Sequence, residues 1–154
     1  MHSIDAASLS ELCSKLLQGL GVKPKEAAFT ATALVASNLR GVDSHGVALL
    51  RYYLEQLECG DMLPDGDPEL LHNSGCTALV DGHNAIGQIV ARFCCDQAIA
   101  LAIDHGCGIV SARHVRELTA NVNSAILAAI RTPDRIIRPL LICAPLPIQR
   151  YRAN

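Results

Sequence analysis

The first sixty residues contain three stretches in which apolar residues recur every three or four positions, which is the spacing of one helix face. In the first stretch, "SLSELCSKLLQGLG", one stripe is formed by Leu9, Leu12, Cys13, Leu16, Leu17 and Leu20. The stretches "KPKEAAFTATALVASNLRG" and "VALLRYYLEQLECG" repeat the pattern. We therefore predict three helices within residues 8–58, joined by short connections.

The ends of these helices are marked by residues that favour helix starts and stops. Ser8 and Glu11 have the spacing of a capping box, in which each side chain bonds to the backbone of the other residue. Pro24 suits the first position of the second helix, and Gly21 and Gly60 suit the left-handed backbone that follows a helix. These residues place the predicted connections near 21–23 and after residue 60.

The pattern changes beyond residue 60. "DMLPDGDPE" is predicted to be a loop, "CTALVDGHN" a short strand and a turn, "AIGQIVARFCCDQAIALAIDHG" a fourth helix ending at Gly106, and "CGIVSA" a second strand. A strand-helix-strand unit of this kind predicts two parallel, neighbouring strands with a right-handed crossover. The fold class is α/β, with a helical arm at residues 4–68 and the start of an α/β domain at 69–113.

Composition excludes several classes of protein. The chain has 154 residues, enough for one domain, and half of them are hydrophobic, but it has only two Phe, three Tyr and no Trp. The core is therefore aliphatic, and aromatic platforms for single-stranded nucleic acid are not expected. The seven cysteines include no C-x-x-C pair, which argues against a disulfide framework or a zinc ribbon and favours reduced thiols in the cytoplasm.

No membrane or secretory segment is predicted. The N-terminus "MHSIDAASLSELC" lacks a basic start followed by an apolar core. The most apolar late stretch, "IIRPLLICAPLPI", is too short and too interrupted by Arg138 and three prolines to cross a bilayer. We therefore expect a cytoplasmic protein with no membrane partner.

Charge is unevenly distributed along the chain. Residues 1–112 hold six Lys and Arg against thirteen Asp and Glu, whereas residues 113–154 hold seven Arg against two acidic residues. A basic tail can bind nucleic acid, but these arginines alternate with Ile, Leu and Pro and form no solvated run. We expect no nucleic-acid partner, and we separate residues 114–154 as a tail of different composition.

The familiar nucleotide-binding and metal-binding motifs are missing. The turn after the first strand, "DGHNAIGQ", has only Gly82 and Gly87, so it lacks the G-x-G-x-x-G of a Rossmann unit. His72, His83 and His105 have no partner at metal-ligand spacing, and no metal site is expected.

The segment "RGVDSHGV" at residues 40–47 contains the candidate chemistry. If Ser44 caps the third helix, His45 lies at a helix N-terminus, where free N–H groups attract anions. A neutral imidazole there can hydrogen-bond a substrate carboxylate or its neighbouring carbonyl. The same two residues also suit a simple helix cap without any catalytic role.

The segments "LRGVDSHGV", "YYLEQLECGDM" and "ALVDGHNAIGQIVARFCCDQAIALAIDHGCGIV" together resemble the malate/L-lactate dehydrogenase family of the non-Rossmann type, which includes ureidoglycolate and sulfolactate dehydrogenases and a cyclic imino acid reductase. The resemblance covers about residues 5–113. It implies hydride transfer between NAD or NADP and C2 of a small 2-hydroxy, 2-keto or imino acid, in a homodimer. It also implies that His45 is catalytic and that Ser44 and His45 contact the cofactor.

The chain departs from the family pattern at two places. Many members have an arginine where this chain has Leu49, and Arg51 would project from another face. The family's proton-transfer histidine falls at Glu117, with His114 three residues earlier. We therefore interpret the chain as a truncated, inactive form of an oxidoreductase whose family-like part ends near Arg113. A non-catalytic helical interaction or dimerisation module is the alternative, and a nucleic-acid binder ranks last.

Overall fold

The computed structural model describes residues 4–116, 124–132 and 135–142, with side chains described for 4–116. The helices are α1 (Ala6–Gly19), α2 (Pro24–Leu39), α3 (Leu50–Glu58) and α4 (Gly87–His105), and the strands are β1 (Glu69–Ser74), β2 (Thr77–Asp81), β3 (Cys107–Arg113), β4 (Ser124–Thr132) and β5 (Arg135–Ile142). Two short 3-10 turns, Asp43–His45 and Val47–Leu49, precede α3. The order of helices and strands matches the predicted helical arm and strand-helix-strand unit.

The start of α1 differs from the prediction. Asp5 is the N-cap, because its carboxylate accepts a 3.0 Å hydrogen bond from the backbone N–H of Ser8. Glu11 instead forms an ion pair with Lys15 at 2.7 Å. The predicted capping box is therefore wrong: the helix begins earlier, and the Asp5 carboxylate caps it through the backbone N–H of Ser8.

The apolar stripe of α1 is only partly buried. Cys13 and Leu17 lie in the core, whereas Leu12 is 50% exposed and Leu16 is 42% exposed. The stripe is wider than the surface that α2 and α3 cover. The second predicted start is confirmed, since Pro24 occupies the first turn of α2.

The described strands form one sheet in the order β1-β2-β3-β4-β5. Strands β2 and β3 are parallel neighbours, in register from Thr77 opposite Ile109 to Asp81 opposite Arg113, and the other pairs are antiparallel. The predicted parallel pair is confirmed. Gly106 ends α4 with φ +84°, the left-handed backbone that the sequence predicted.

Strand β1 was not predicted from the sequence. All six of its residues are exposed, so no buried face produces an alternating pattern. It pairs with β2 through the turn at Gly75, whose φ is +54°. The segment is therefore a strand because β2 offers it an edge to pair with.

Two apolar clusters hold these elements together. One lies between α4 and the sheet and includes Val80, Val90, Cys94, Ala98 and Val110. The other lies among the first three helices and includes Leu17, Leu34, Tyr53 and Met62 together with Ile86 and Ile89 from the start of α4. Because α4 contributes to both clusters, it fixes the helical arm against the strand-helix-strand unit.

The sheet does not end at the composition break. β4 pairs with β3 from Cys107 opposite Ile130 to Arg113 opposite Ser124, so residues beyond 113 extend the same sheet. The division into 69–113 and 114–154 stays a prediction, and Glu117 lies outside the described residues. In the part of the chain that the structure describes, no helix is both long and apolar enough to span a membrane.

Candidate active site

The segment between α2 and α3 is organised by Asn38, in the last turn of α2. Its side-chain Nδ2 donates to Asp43 Oδ1 at 2.6 Å, and its Oδ1 accepts from the backbone N–H of Val47 at 2.7 Å. One amide therefore binds the first residue of each 3-10 turn, Asp43 and Val47, on either side of Ser44 and His45. We call residues 38–47 the Asn38 turn.

Two glycines permit this conformation. Gly41 has φ +77°, a left-handed backbone that other residues rarely adopt. Gly46 is buried against Asn38, and a Cβ at this position would overlap the Asn38 side-chain amide. The two glycines of the R-G-x-x-S-H-G pattern are therefore required by the local backbone, independently of any chemistry of its Ser and His.

The predicted position of His45 is wrong. It ends a 3-10 turn, and a second 3-10 turn, Val47–Leu49, separates it from the first residue of α3, Leu50. Ser44 is not the N-cap, because the helix-entry N–H of Val47 bonds to Asn38 instead. The extended backbone of Gly46 (φ −98°, ψ −151°) interrupts the helical path.

Ser44 and His45 form a polar pair on the outer surface of the Asn38 turn. The Ser44 hydroxyl lies 3.0 Å from His45 Nδ1, and both residues are exposed. When the hydroxyl donates to Nδ1, a neutral ring carries its proton on Nε2 and can donate it to a bound molecule. The pair is therefore a candidate contact for a carbonyl or carboxylate group.

A second polar group, which the sequence did not predict, lies where β2 and β3 end. Asp81 is 5% exposed and accepts hydrogen bonds from the His83 backbone N–H at 3.0 Å and from Arg113 Nε at 2.9 Å. His114 Nδ1 lies 3.0 Å from Asp81 Oδ1. We call Asp81, His83, Arg113 and His114 the Asp81 cluster. The carboxyl ends of parallel strands lie at the same edge of a sheet. The V-D-G at residues 80–82 and the R-H at residues 113–114 stand at these ends, which is the sequence signal that could have predicted the cluster.

The charge on Asp81 is strongly stabilised. Burial raises the pKa of the carboxyl group, but the hydrogen bonds from the His83 backbone, His114 and Arg113 outweigh it, and the pKa falls to about 2. Asp81 is therefore an anion at neutral pH. It orients the His114 ring, whose side chain is 58% exposed and therefore accessible to a bound molecule.

The backbone around the Asp81 cluster is closely packed and unusual in conformation. His83, Asn84 and His114 all have positive φ, at 47°, 54° and 50°. Gly82 N donates to Arg113 O at 2.8 Å, and a Cβ on Gly82 would lie 2.8 Å from His114 O. Such strained positions persist where surrounding contacts hold them, and they are common at functional sites.

The helices next to the two polar groups, α3 and α4, are joined by a hydrogen bond, whereas the two groups themselves are not bonded to each other. Gln88 Nε2, in the first turn of α4, donates to the Tyr53 hydroxyl of α3 at 2.6 Å. Within residues 4–116, no hydrogen bond or ion pair links Ser44 or His45 to the Asp81 cluster. The same residues contain no group of three or more side chains able to hold a metal ion.

A helical arm packed against α4, and a sheet whose two parallel strands end in charged residues, define an α/β protein with polar residues at the strand ends, where such folds usually bind their ligands. The family model of malate/L-lactate dehydrogenase matches residues 4–129, beyond the boundary expected near 113. The chain belongs to the malate/L-lactate dehydrogenase family.

Individual relatives agree with this assignment. The 2,3-diketo-L-gulonate reductase of Citrobacter koseri is 35% identical over 106 residues, which are 69% of this chain and 32% of the relative. The malate dehydrogenase of Pyrococcus horikoshii OT3 superposes with a TM-score of 0.74 and 25% identity, covering 92% of this chain and 50% of that one. Sulfolactate dehydrogenase from Methanocaldococcus jannaschii shares the fold, with a TM-score of 0.74, 21% identity and coverage of 91% and 50%. The chain thus spans about a third of the length of the curated relatives it matches.

Proposed function

We propose that this chain supplies part of the site of an NAD- or NADP-dependent oxidoreductase acting on a small 2-hydroxy, 2-keto or imino acid. The observation that carries the proposal is the Ser44–His45 pair, held on an exposed surface by the Asn38 turn. In this role His45 is the catalytic residue that hydrogen-bonds the substrate, and Ser44 and His45 contact the cofactor. The family's relatives include a 2,3-diketo-L-gulonate reductase, which is consistent with a keto-acid substrate.

The residues present fit a nicotinamide nucleotide at the Asn38 turn better than at the turn after β2. Gly82 offers no cradle for a pyrophosphate, because the space beside its Cα is filled by the His114 carbonyl oxygen. Ser44 and His45, by contrast, expose a hydroxyl and an imidazole that can bond to a carboxamide or a hydroxyl. When bound, the cofactor would donate or accept the hydride.

We further propose that the protein works in the cytoplasm as a homodimer. The cysteines Cys13, Cys59, Cys76, Cys94, Cys95 and Cys107 are all free thiols, as expected in a reducing compartment. The exposed side chains of Leu12 and Leu16 on α1 are apolar surface that a second copy can cover.

The test is a titration of the 154-residue chain with NADH and NADPH, followed by nicotinamide fluorescence. We expect saturable binding that is weakened about fivefold by His45→Ala, the loss that one hydrogen bond of about 1 kcal/mol produces. His72→Ala, a change at an exposed histidine in β1, is the matched control and should leave binding unchanged. Absence of saturable binding, or equal binding by both variants, would overturn the proposal.

A second candidate function is a helical interaction module without catalysis, favoured by the exposed Leu12 and Leu16. In that case the chain self-associates through α1 and binds no nucleotide. The test compares the sedimentation of the Leu16→Lys variant with that of the unsubstituted chain. Together with the nucleotide titration, this comparison separates the two candidate functions. Association that depends on Leu16, without nucleotide binding, supports the module.

A further inference from the structure

Two cysteines lie near each other where β2 and β3 begin, one position out of direct register. Cys76 immediately precedes β2, and Cys107 is the first residue of β3. The two strands are parallel neighbours, and the backbone N–H of Ile109 donates to Cys76 O at 2.8 Å. The sequence places these thiols 31 residues apart, so their proximity depends on the crossover through α4.

The Cys76 and Cys107 side chains interact electrostatically across the two neighbouring strands, and both residues are partly exposed. Gly108 packs against α4, since a Cβ there would overlap the Ala98 carbonyl oxygen. Because side chains alternate along a strand, Cys107 lies on the face of the sheet away from α4, where solvent can reach it.

The other described cysteines form no accessible pair: Cys95 is partly exposed but neighbours the buried Cys94, and burial raises the pKa of the Cys95 thiol. Cys13 and Cys94 are buried, and desolvation raises the pKa of Cys94 to about 12. Cys59 is exposed, and its thiol bonds to the backbone oxygen of Gln56 at 3.5 Å. Cys76 and Cys107 therefore differ from the other described cysteines, because they interact with each other and solvent can reach both.

We propose that Cys76 and Cys107 form a reversible intramolecular disulfide when the chain meets a thiol-specific oxidant such as an azodicarboxamide or a low-molecular-weight disulfide. With the azo compound, one thiolate attacks a nitrogen of the N=N bond, and the second thiolate then attacks the sulfur of the adduct. Two S–H bonds are lost, one S–S bond forms, and the azo compound takes up two electrons and two protons to become a hydrazine.

The bond would join β2 to β3 at the strand ends opposite the Asp81 cluster. It would close a covalent loop around α4 and hold the parallel register without touching Ser44 or His45. The proposal is therefore independent of the proposed function, and either can fail without the other. The interaction with Cys76 raises the pKa of Cys107, so the bond should form faster as the pH rises above neutrality.

The experiment uses the full 154-residue chain, treated with azodicarboxamide at micromolar protein concentration and then blocked with an alkylating agent. Cleavage after Asp and Glu releases residues 70–81 and 105–117, each with a single cysteine. Mass spectrometry of the unreduced digest then identifies the cross-linked pair directly. Because neighbouring thiols meet at millimolar effective concentration, we expect this pair to exceed any other disulfide-linked pair at least ~10-fold.

The variants make the result specific. Cys76→Ser and Cys107→Ser should each abolish the 70–81 to 105–117 product, whereas Cys59→Ser should leave it unchanged. Reduction with dithiothreitol should return both peptides to the free-thiol mass. A treated, unsubstituted chain without this product, or one dominated by links between molecules or through Cys59, would overturn the proposal, and this measurement does not depend on any variant folding.

Discussion

The backbone N–H of Val47 lies 2.7 Å from Asn38 Oδ1 and donates a hydrogen bond to it. The two residues are nine positions apart, and the bond closes the Asn38 turn that presents Ser44 and His45. The same amide binds Asp43, so one side chain replaces the local helix cap that sequence spacing favoured. The position of the candidate catalytic histidine therefore depends on a residue in the preceding helix.

The first prediction concerns the close contact between Gly46 and Asn38. Gly46→Ala would place a Cβ on the Asn38 amide, so the two hydrogen bonds of that amide must distort. We expect the free energy of unfolding, measured in urea, to fall by about 1–3 kcal/mol, the usual cost of overpacking.

Gly19→Ala provides the matched control for this substitution. Gly19 is the last residue of α1, and a Cβ there meets no atom within 4 Å. We expect no loss and a gain of up to about 1 kcal/mol, because alanine favours the helix over glycine. Equal losses in both variants would contradict the role assigned to the Asn38 contact.

The second prediction uses the pKa of Asp81. The pKa is about 2 in the folded protein against a reference value of 3.8, so the interactions that hold the carboxylate stabilise the fold above about pH 4. Their contribution, about 2 kcal/mol, is lost as the pH falls through about 2. The free-energy difference between the wild-type chain and Asp81→Asn should therefore shrink between about pH 5 and about pH 2.5 in urea titrations.

Asp67→Asn tests whether this pH dependence is specific. The Asp67 carboxylate pairs with Lys23 at 2.8 Å, but its side chain is 78% exposed. Exposed ion pairs contribute little to stability, so the variant should resemble the wild-type chain at each pH. A constant wild-type to Asp81→Asn difference across the range would refute the assigned hydrogen-bonding role of Asp81.

The sequence predicted the elements whose signals are local. The spacing of apolar residues identified the first three helices, and the single residue Gly106 located the end of α4 because a left-handed backbone favours glycine. The parallel pairing of β2 and β3 was predictable because a helix of nineteen residues between two strands leaves few other arrangements.

The features that were not predicted depend on contacts that the spacing of apolar residues does not reveal. Asp81 and His114 are 33 positions apart and meet only because β2 and β3 end together. Strand β1 has no buried face, so its sequence lacks a strand pattern. The Asp81–His114 contact is tertiary, and β1 is a strand because it pairs with β2, so the spacing of apolar residues predicts neither feature.

The third prediction concerns the contact between the helical arm and α4. Arg92 Nη2 donates to both carboxylate oxygens of Glu26, at 2.8 and 2.7 Å, and its guanidinium lies 4.5 Å from the centre of the Phe29 ring. Arg92→Lys keeps the charge but loses the planar group that stacks on the ring. We expect the free energy of unfolding to fall by about 1 kcal/mol.

Arg51→Lys is the control for that charge-conserving change. Arg51 also pairs with a glutamate, Glu55, at 2.8 Å, but the Arg51 side chain is 88% exposed. The change should stay within about 0.5 kcal/mol. If the two lysine variants lose equal stability, the partly buried Arg92 contact does not hold the arm in place.

The last prediction is that the 154-residue chain alone has little or no dehydrogenase activity. About two thirds of each curated relative has no counterpart in this chain. The family resemblance assigns proton transfer to the position of Glu117, and the reference pKa of a glutamate is about two units below that of histidine. The measurement is oxidation of NADH and NADPH in the presence of pyruvate, oxaloacetate or a cyclic imino acid. Turnover above background that disappears in His45→Ala, but persists in His72→Ala, would show that the chain is a working enzyme and that this expectation is wrong.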